Sequence, residues 1–301
     1  KLHSFMSSPD INNASPRETT ILMDSKKKEV SDKTFRTLFY WNLAMAIFHF
    51  IQAVAIFVLA GVNSTFRDFK LPIRRLELVV RQPGGVGNET GEFIDSQLTD
   101  VGNIRVAPLT GIFSLLSAIF HVLVILPYFN KLYKNGIRGG YNYFRWIEYS
   151  LSSSVMIFLI ALFFGIYDIG TLVLIVAANA TCMLCGLLME QLNRYTKHVN
   201  WTPFLVGCFI EIFPFVAIFI SFFSSGGRQA PSFVVVILFV EIIFFSLFAF
   251  NMVLQYAKFW KWRDYVFGEI AYQVLSLVAK TLLAWIVFGG LNQPNEFAQA
   301  S

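Results

Sequence analysis

The sequence predicts an all-α membrane protein: a bundle of seven transmembrane helices with a short β-hairpin in its first extracellular loop. Three observations point there. The 301 residues are 55% hydrophobic and only 14% charged, with a mean hydropathy of +0.58, too apolar for an ordinary soluble domain. Seven apolar runs, at about 38–62, 107–130, 142–166, 169–193, 202–224, 232–257 and 266–290, are each 23–26 residues long; a helix needs roughly 20 to cross a hydrocarbon core of about 30 Å. Between the first two lies the one long connection, 63–106, where FKLPIRRLELVV, the turn QPGGVG and a stretch running to NIRVAP read as an antiparallel strand pair.

Residues 1–37 are polar and charged, with a Lys26–Lys28 run, and read as a disordered tail that meets the membrane in a basic segment. Residues 38–290 form a single domain with 63–106 as its extracellular loop, and 291–301 are an extracellular tail. Pro127, Pro214 and Pro231 fall in or beside spans, where membrane helices tolerate them. Loop charges set the orientation. The amino-terminal tail and the second, fourth and sixth loops carry 16 Lys and Arg, the opposite side 7, which puts the amino terminus in the cytoplasm. The net charge of +5 is therefore a matter of asymmetric loops, and no nucleic-acid partner is expected; the partner is the lipid bilayer. Cys182, Cys185 and Cys208 all fall within spans and read as small apolar residues. The 63–106 connection carries sequons at Asn63 and Asn88, of which only Asn88 is clear of the bilayer.

The polar residues inside the spans carry the functional signal. Lys280, in SLVAKTLLAW, sits mid-span, where an ammonium costs roughly 2.5–3.5 kcal/mol on insertion scales. It is either a Schiff-base lysine joined to an aldehyde chromophore or an ion-pair lysine that fixes packing. Glu148, in FRWIEYSLSSS, lies at similar depth in the third span and is its expected partner, as counterion or structural salt bridge. Ser276, four residues before Lys280, shares its face; Ser152 lies one turn beyond Glu148. His49 and His121, in the first and second spans, suggest a proton-holding cavity near Glu148. Asn179, Met183, Gly186 and Glu190 are spaced to share one face of the fourth helix. Asn179 and Met183 are expected to line a pocket, and Gly186 to allow close approach of a neighbouring helix or ligand; Glu190 either serves an inner polar cavity or caps the bundle against Arg194. Glu211 and Glu241 are further buried carboxyls, in the inner and outer halves of the fifth and sixth spans.

No P-loop, paired-His metal motif, nucleophile elbow or dinucleotide fingerprint stands in a fitting context, so no enzyme activity or metal is expected. RWIEYSLSSSVMIFLIA, GIYDI, NATCMLCGLLME and AYQVLSLVAKTLLAW closely resemble, in order, segments of the heliorhodopsins, retinal-binding seven-helix proteins with an inverted orientation. The resemblance covers all seven spans and implies a rhodopsin-like bundle. It further implies all-trans retinal linked to Lys280, Glu148 as counterion, His49 and His121 near the Schiff base, and Ser276 and Asn179 beside the chromophore. It also implies a homodimer and a sensory or regulatory photoreceptor that does not pump ions. The charged tail offers a surface for a cytoplasmic signalling partner. Glu211 and Glu241 depart from the apolar or small residues of the family pattern, so a light-gated proton channel using them is the alternative. A small-ligand transporter or receptor without chromophore is the third reading.

Overall fold

The computed structural model describes residues 29–81, 93–224 and 231–292. Most of the expected tail with its Lys26–Lys28 run, the QPGGVG turn, Asn88 and the carboxyl-terminal tail from 293 lie outside the described residues. Among the described residues, seven helices are long and apolar enough to cross a membrane. They are α1 (Asp32–Val62), α3 (Val106–Ile125), α5 (Tyr143–Phe163), α6 (Ile169–Leu192), α7 (Thr202–Ser224), α8 (Ser232–Tyr256) and α9 (Tyr265–Leu291). Between them come a short α2 (Ser64–Asp68), strands β1 (Lys70–Arg81) and β2 (Phe93–Arg105), α4 (Pro127–Gly139) and a 3-10 turn at Trp260–Arg263.

Local chemistry moves two boundaries from their expected places. α1 starts at Asp32 rather than 38, because Ser31 accepts the Thr34 N–H at 3.2 Å and caps the first turn. The expected span 107–130 divides. A residue before proline is pushed out of the helical region, and Leu126 is accordingly extended (φ −67°, ψ 140°). Pro127 then opens α4, and Gly140, left-handed at φ 72°, closes it.

The hairpin is longer than expected, with strands of 12 and 13 residues paired antiparallel from Lys70↔Arg105 to Arg81↔Phe93 and a bulge at Ile73/Arg74. It is tied to the bundle. The Arg74 N–H donates to the Tyr167 carbonyl (2.8 Å) and the Leu76 N–H to Asp168 Oδ1 (3.4 Å). Asp168 also caps α6, accepting the Thr171 N–H at 2.7 Å, and these bonds hold its carboxyl below the usual range.

In the bundle α1 lies on α3, α3 on α5, α5 on α6, α6 on α7 and α8 on α9. Because α7 packs chiefly along α6 and α8 chiefly along α9, a gap opens between α7 and α8, bridged by an edge-to-face contact of Phe215 and Phe245 (centroids 5.4 Å apart). The half of the bundle toward the hairpin is a dry core of residues such as Ile56, Phe113, Leu162, Leu283 and Val287. The opposite half holds a smaller apolar cluster around Phe35, Leu38 and Ile137 and most of the buried charge.

Candidate functional site

Helical periodicity builds the site. Ser276 and Lys280 on α9, Ser117 and His121 on α3, and Arg145, Glu148 and Ser152 on α5 each recur at three- or four-residue spacing, so each set faces one way. Where the three faces meet, Lys280 Nζ donates to Glu148 Oε1 at 3.0 Å and to Ser276 Oγ at 2.6 Å. Glu148 Oε1 also accepts the Ser117 hydroxyl at 2.6 Å. The Tyr149 ring lies 5.4 Å from the ammonium. Lys280 and Glu148 are 3% and 5% exposed, so the pair is desolvated and held by hydrogen bonds rather than by water.

Two cavities meet at this pair. The larger, of about 420 Å³, occupies the gap between α7 and α8 and has Lys280, Ser276 and Ser152 on its wall. Its lining is otherwise dominated by apolar and aromatic side chains, among them Tyr149, Phe204, Phe215, Phe244 and Phe248. That volume lies in the usual range for small-ligand sites, about 300–1,000 Å³. The smaller, of about 30 Å³, is polar and is lined by Glu148, His121, Asn42, Gln273 and Glu269. His121 Nδ1 lies 2.8 Å from Asn42 Oδ1; since that oxygen can only accept, Nδ1 carries the proton. His49, fully buried, stacks on His121 with centroids 5.8 Å apart.

A second charged cluster lies beyond the small cavity, away from the hairpin. Arg145 donates to both Glu269 and Glu190. Asn142 binds both carboxylates, through its amide to Glu269 (2.7 Å) and its N–H to Glu190 (3.0 Å). Trp146 and Tyr265 donate to Glu190 at 2.7 and 3.1 Å, and the guanidinium lies over the Tyr272 ring at 4.2 Å.

A comparison with family models matches residues 38–291 to the heliorhodopsins. The chain belongs to the heliorhodopsin family. Membership implies a rhodopsin-type light receptor with a retinal chromophore, and with seven spans the chain is an integral, multi-pass membrane protein. A comparison with curated protein sequences returned no match. Among solved structures, the transmembrane domain of Salpingoeca rosetta rhodopsin phosphodiesterase aligns with a TM-score of 0.55 at 13% identity, covering 91% of this chain and 94% of that one. At that identity the likeness concerns the fold alone. The heliorhodopsin site fits a retinal on its own geometry: a long apolar, aromatic cavity with a primary amine opening into it.

The structure separates the sequence-predicted residues into groups. Lys280, Glu148 and Ser276 touch; Ser152, Met183, Gly186, Glu211 and Glu241 line the large cavity, and His121 the small one. Asn179 does neither: its amide donates to Ser153 (2.8 Å) and Ser154 (3.0 Å) and joins α6 to α5. Gly186 makes room for protein as well as cavity, since a Cβ there would fall 2.3 Å from the Trp146 ring. Glu190 belongs to the Arg145 cluster rather than to the histidine cavity, and it does not cap against Arg194, which donates to Gln191 and lies over Tyr141.

Sequence reasoning missed Arg145, Glu269 and Asn142. Arg145 was counted as a loop charge although it lies three residues before Glu148 on the same helix face, and that spacing was the available signal. Also missed was a polar link toward the hairpin side, where Gln52 donates to Ser114 and accepts from Thr281, both at 2.8 Å. Arg145→Leu leaves two buried carboxylates without their cation and should destabilise the protein by about 3–5 kcal/mol. Thermal unfolding in detergent measures this; an unchanged transition would mean the cluster carries no such weight.

Proposed function

We propose that the protein is a sensory photoreceptor that carries all-trans retinal joined through its aldehyde to Lys280. The observation that carries this reading is the position of the Lys280 amine, buried mid-span, opening into the apolar cavity and bonded to a buried carboxylate. When bound, retinal supplies the absorption of light and the isomerisation that follows. Glu148 holds positive charge at Nζ, with Ser117 and Ser276 fixing its geometry. Glu148 Oε1 is also the proton acceptor at that nitrogen, and the small cavity continues from it to His121. On the hairpin side the polar groups near Lys280 are Gln52, Ser114, Thr281 and the buried carboxyl of Glu241, and the apolar core around Ile56, Phe113 and Leu283 packs beyond them. A polar route open to one side favours a sensor over a pump.

Loop charge favours an amino terminus in the cytoplasm. With Arg145 removed from the loop count, 15 basic residues still stand against 7. A second reading, a light-gated proton conductance, is favoured by Glu241, which is fully buried, lines the cavity with Lys280 and has no hydrogen bond to either oxygen among the described residues.

Four outcomes test these readings. Lys280→Ala should abolish the visible band of protein regenerated with retinal, since among the described residues no other lysine lies in the middle of a span; a retained band would refute the attachment site. Glu148→Gln should shift absorption to the red, because the carboxylate stabilises charge at the nitrogen more before excitation than after it. An epitope at the amino terminus should stay hidden in intact cells and one at the carboxyl terminus be labelled; the reverse pattern inverts the topology. For the second reading, illumination under voltage clamp should give a current that reverses with the proton gradient and is mostly lost in Glu241→Gln. Electrical silence of surface-expressed protein leaves the sensory reading alone.

A further inference from the structure

The two sides of the large cavity differ in how their polar atoms are satisfied. On the α9 side, the Lys280 amine has two hydrogen-bond acceptors. Across the gap, α7 contributes Glu211, whose two carboxyl oxygens are shielded from solvent and have no hydrogen bond among the described residues. Its polar neighbours are the thiols of Cys182 and Cys208, which are weak donors. The surroundings are shaped by small residues. Gly207, one turn before Glu211, lets α7 approach α6 until a Cβ would lie 2.9 Å from Cys185 Cβ, and Cys182, Gly207 and Cys208 leave the carboxyl facing the cavity. Glu241 differs, because α8 packs on α9 and this carboxyl belongs to the lysine's side. A buried carboxyl without a partner in the protein is unfavourable, and a ligand that supplies a donor removes the penalty.

We propose that the pocket selects a ring-hydroxylated retinal, with Glu211 as acceptor for the ring hydroxyl. The proposal rests on the retinal reading above. An aldehyde joined to Lys280 on α9 would leave the rest of the polyene to be housed by the same cavity, whose α7 wall carries Glu211. A hydroxyl there would donate to a carboxyl whose protein neighbours are weakly donating thiols, whereas an unsubstituted ring presents only hydrogens bound to carbon. Discrimination of this kind is strong because the site's polar group is left unpaired by the wrong ligand.

The test is competition. Protein produced without chromophore is offered equal amounts of all-trans-retinal and its 3-hydroxy derivative, then separately of retinal and the 4-hydroxy derivative, and the bound retinoid is extracted and separated. Wild-type protein should take one of the hydroxylated forms with a preference of about tenfold, the size of one such hydrogen bond. In Glu211→Leu the ratio should fall to about one. Glu211→Gln, nearly isosteric, should keep part of the preference through its amide oxygen and carries the test where the leucine variant does not fold. Equal uptake of both retinoids by wild type, or a preference that survives in Glu211→Leu, overturns the proposal. Failure of every retinoid to give a pigment overturns the photoreceptor reading itself, a result distinct from loss of selectivity.

Discussion

The structure depends on keeping one ammonium and one carboxylate paired in a place almost closed to bulk solvent. Lys280 and Glu148 lie 3.0 Å apart at 3% and 5% exposure. Such a pair is poor value as glue. Desolvating two ions costs several kcal/mol each, and well-packed apolar residues often do as well or better. What makes the pair tolerable is its hydrogen bonding: Ser117 and Ser276 supply bonds that water would otherwise provide, and Tyr149 offers its ring face to the cation. These groups come from α3, α5 and α9, so the pair fixes how three helices meet. A costly arrangement that also opens into an apolar cavity is better explained by chemistry than by stability.

The helix α5 is the spine of this arrangement. Arg145 and Glu148 project from neighbouring turns of one face, with Asn142 at its cap and Ser152 one turn further on. It is also the most deeply buried of the seven spans. Moving along that face, one passes from the Arg145 cluster to the Glu148–Lys280 pair and then to the wall of the cavity. The two ionic sites thus share a backbone and are joined by the small polar cavity. Glu148, which faces Lys280, and Arg145, which ties α5 to α6 and α9, are carried by the same helix.

Much of this was legible in the sequence. Seven apolar runs and a β-branched loop gave the bundle and the hairpin, since hydrophobic length and strand pattern are local properties. Lys280 and Glu148 were legible as a pair because few charges lie in the spans and their depths match. Contacts that depend on helix rotation were not. Glu190 was within reach of both Arg194, four residues on, and Arg145 on another helix; only the packing of α5 against α6 selects Arg145. Asn179 lies on the same side of α6 as Met183 and Gly186, yet it is absorbed by Ser153 and Ser154 of the facing helix. The division at Pro127 was legible in principle, because the restriction on the residue before a proline is local; an apolar run continuing to residue 130 masked it.

The distribution of polar groups about Lys280 bears on what kind of light-driven change the bundle can support. On one side lie Glu148, His121, Asn42, Gln273 and the Arg145 cluster, joined by a cavity. On the hairpin side, Gln52, Ser114 and Thr281 bond largely to one another, Glu241 is buried at the cavity wall, and beyond them the core is apolar and closed by the base of the hairpin through Leu71. Vectorial transport needs polar access on both sides in alternation. Here the packed half is the one that the hairpin and its Asp168 tether hold in place, while the polar half ends at Asn142, Tyr265 and the turns beside them. On the proposed reading, rearrangement at Lys280 is therefore transmitted to the helix ends opposite the hairpin, the surface that loop charge assigns to the cytoplasm. On that reading the bundle changes the shape of one face rather than moving an ion through both.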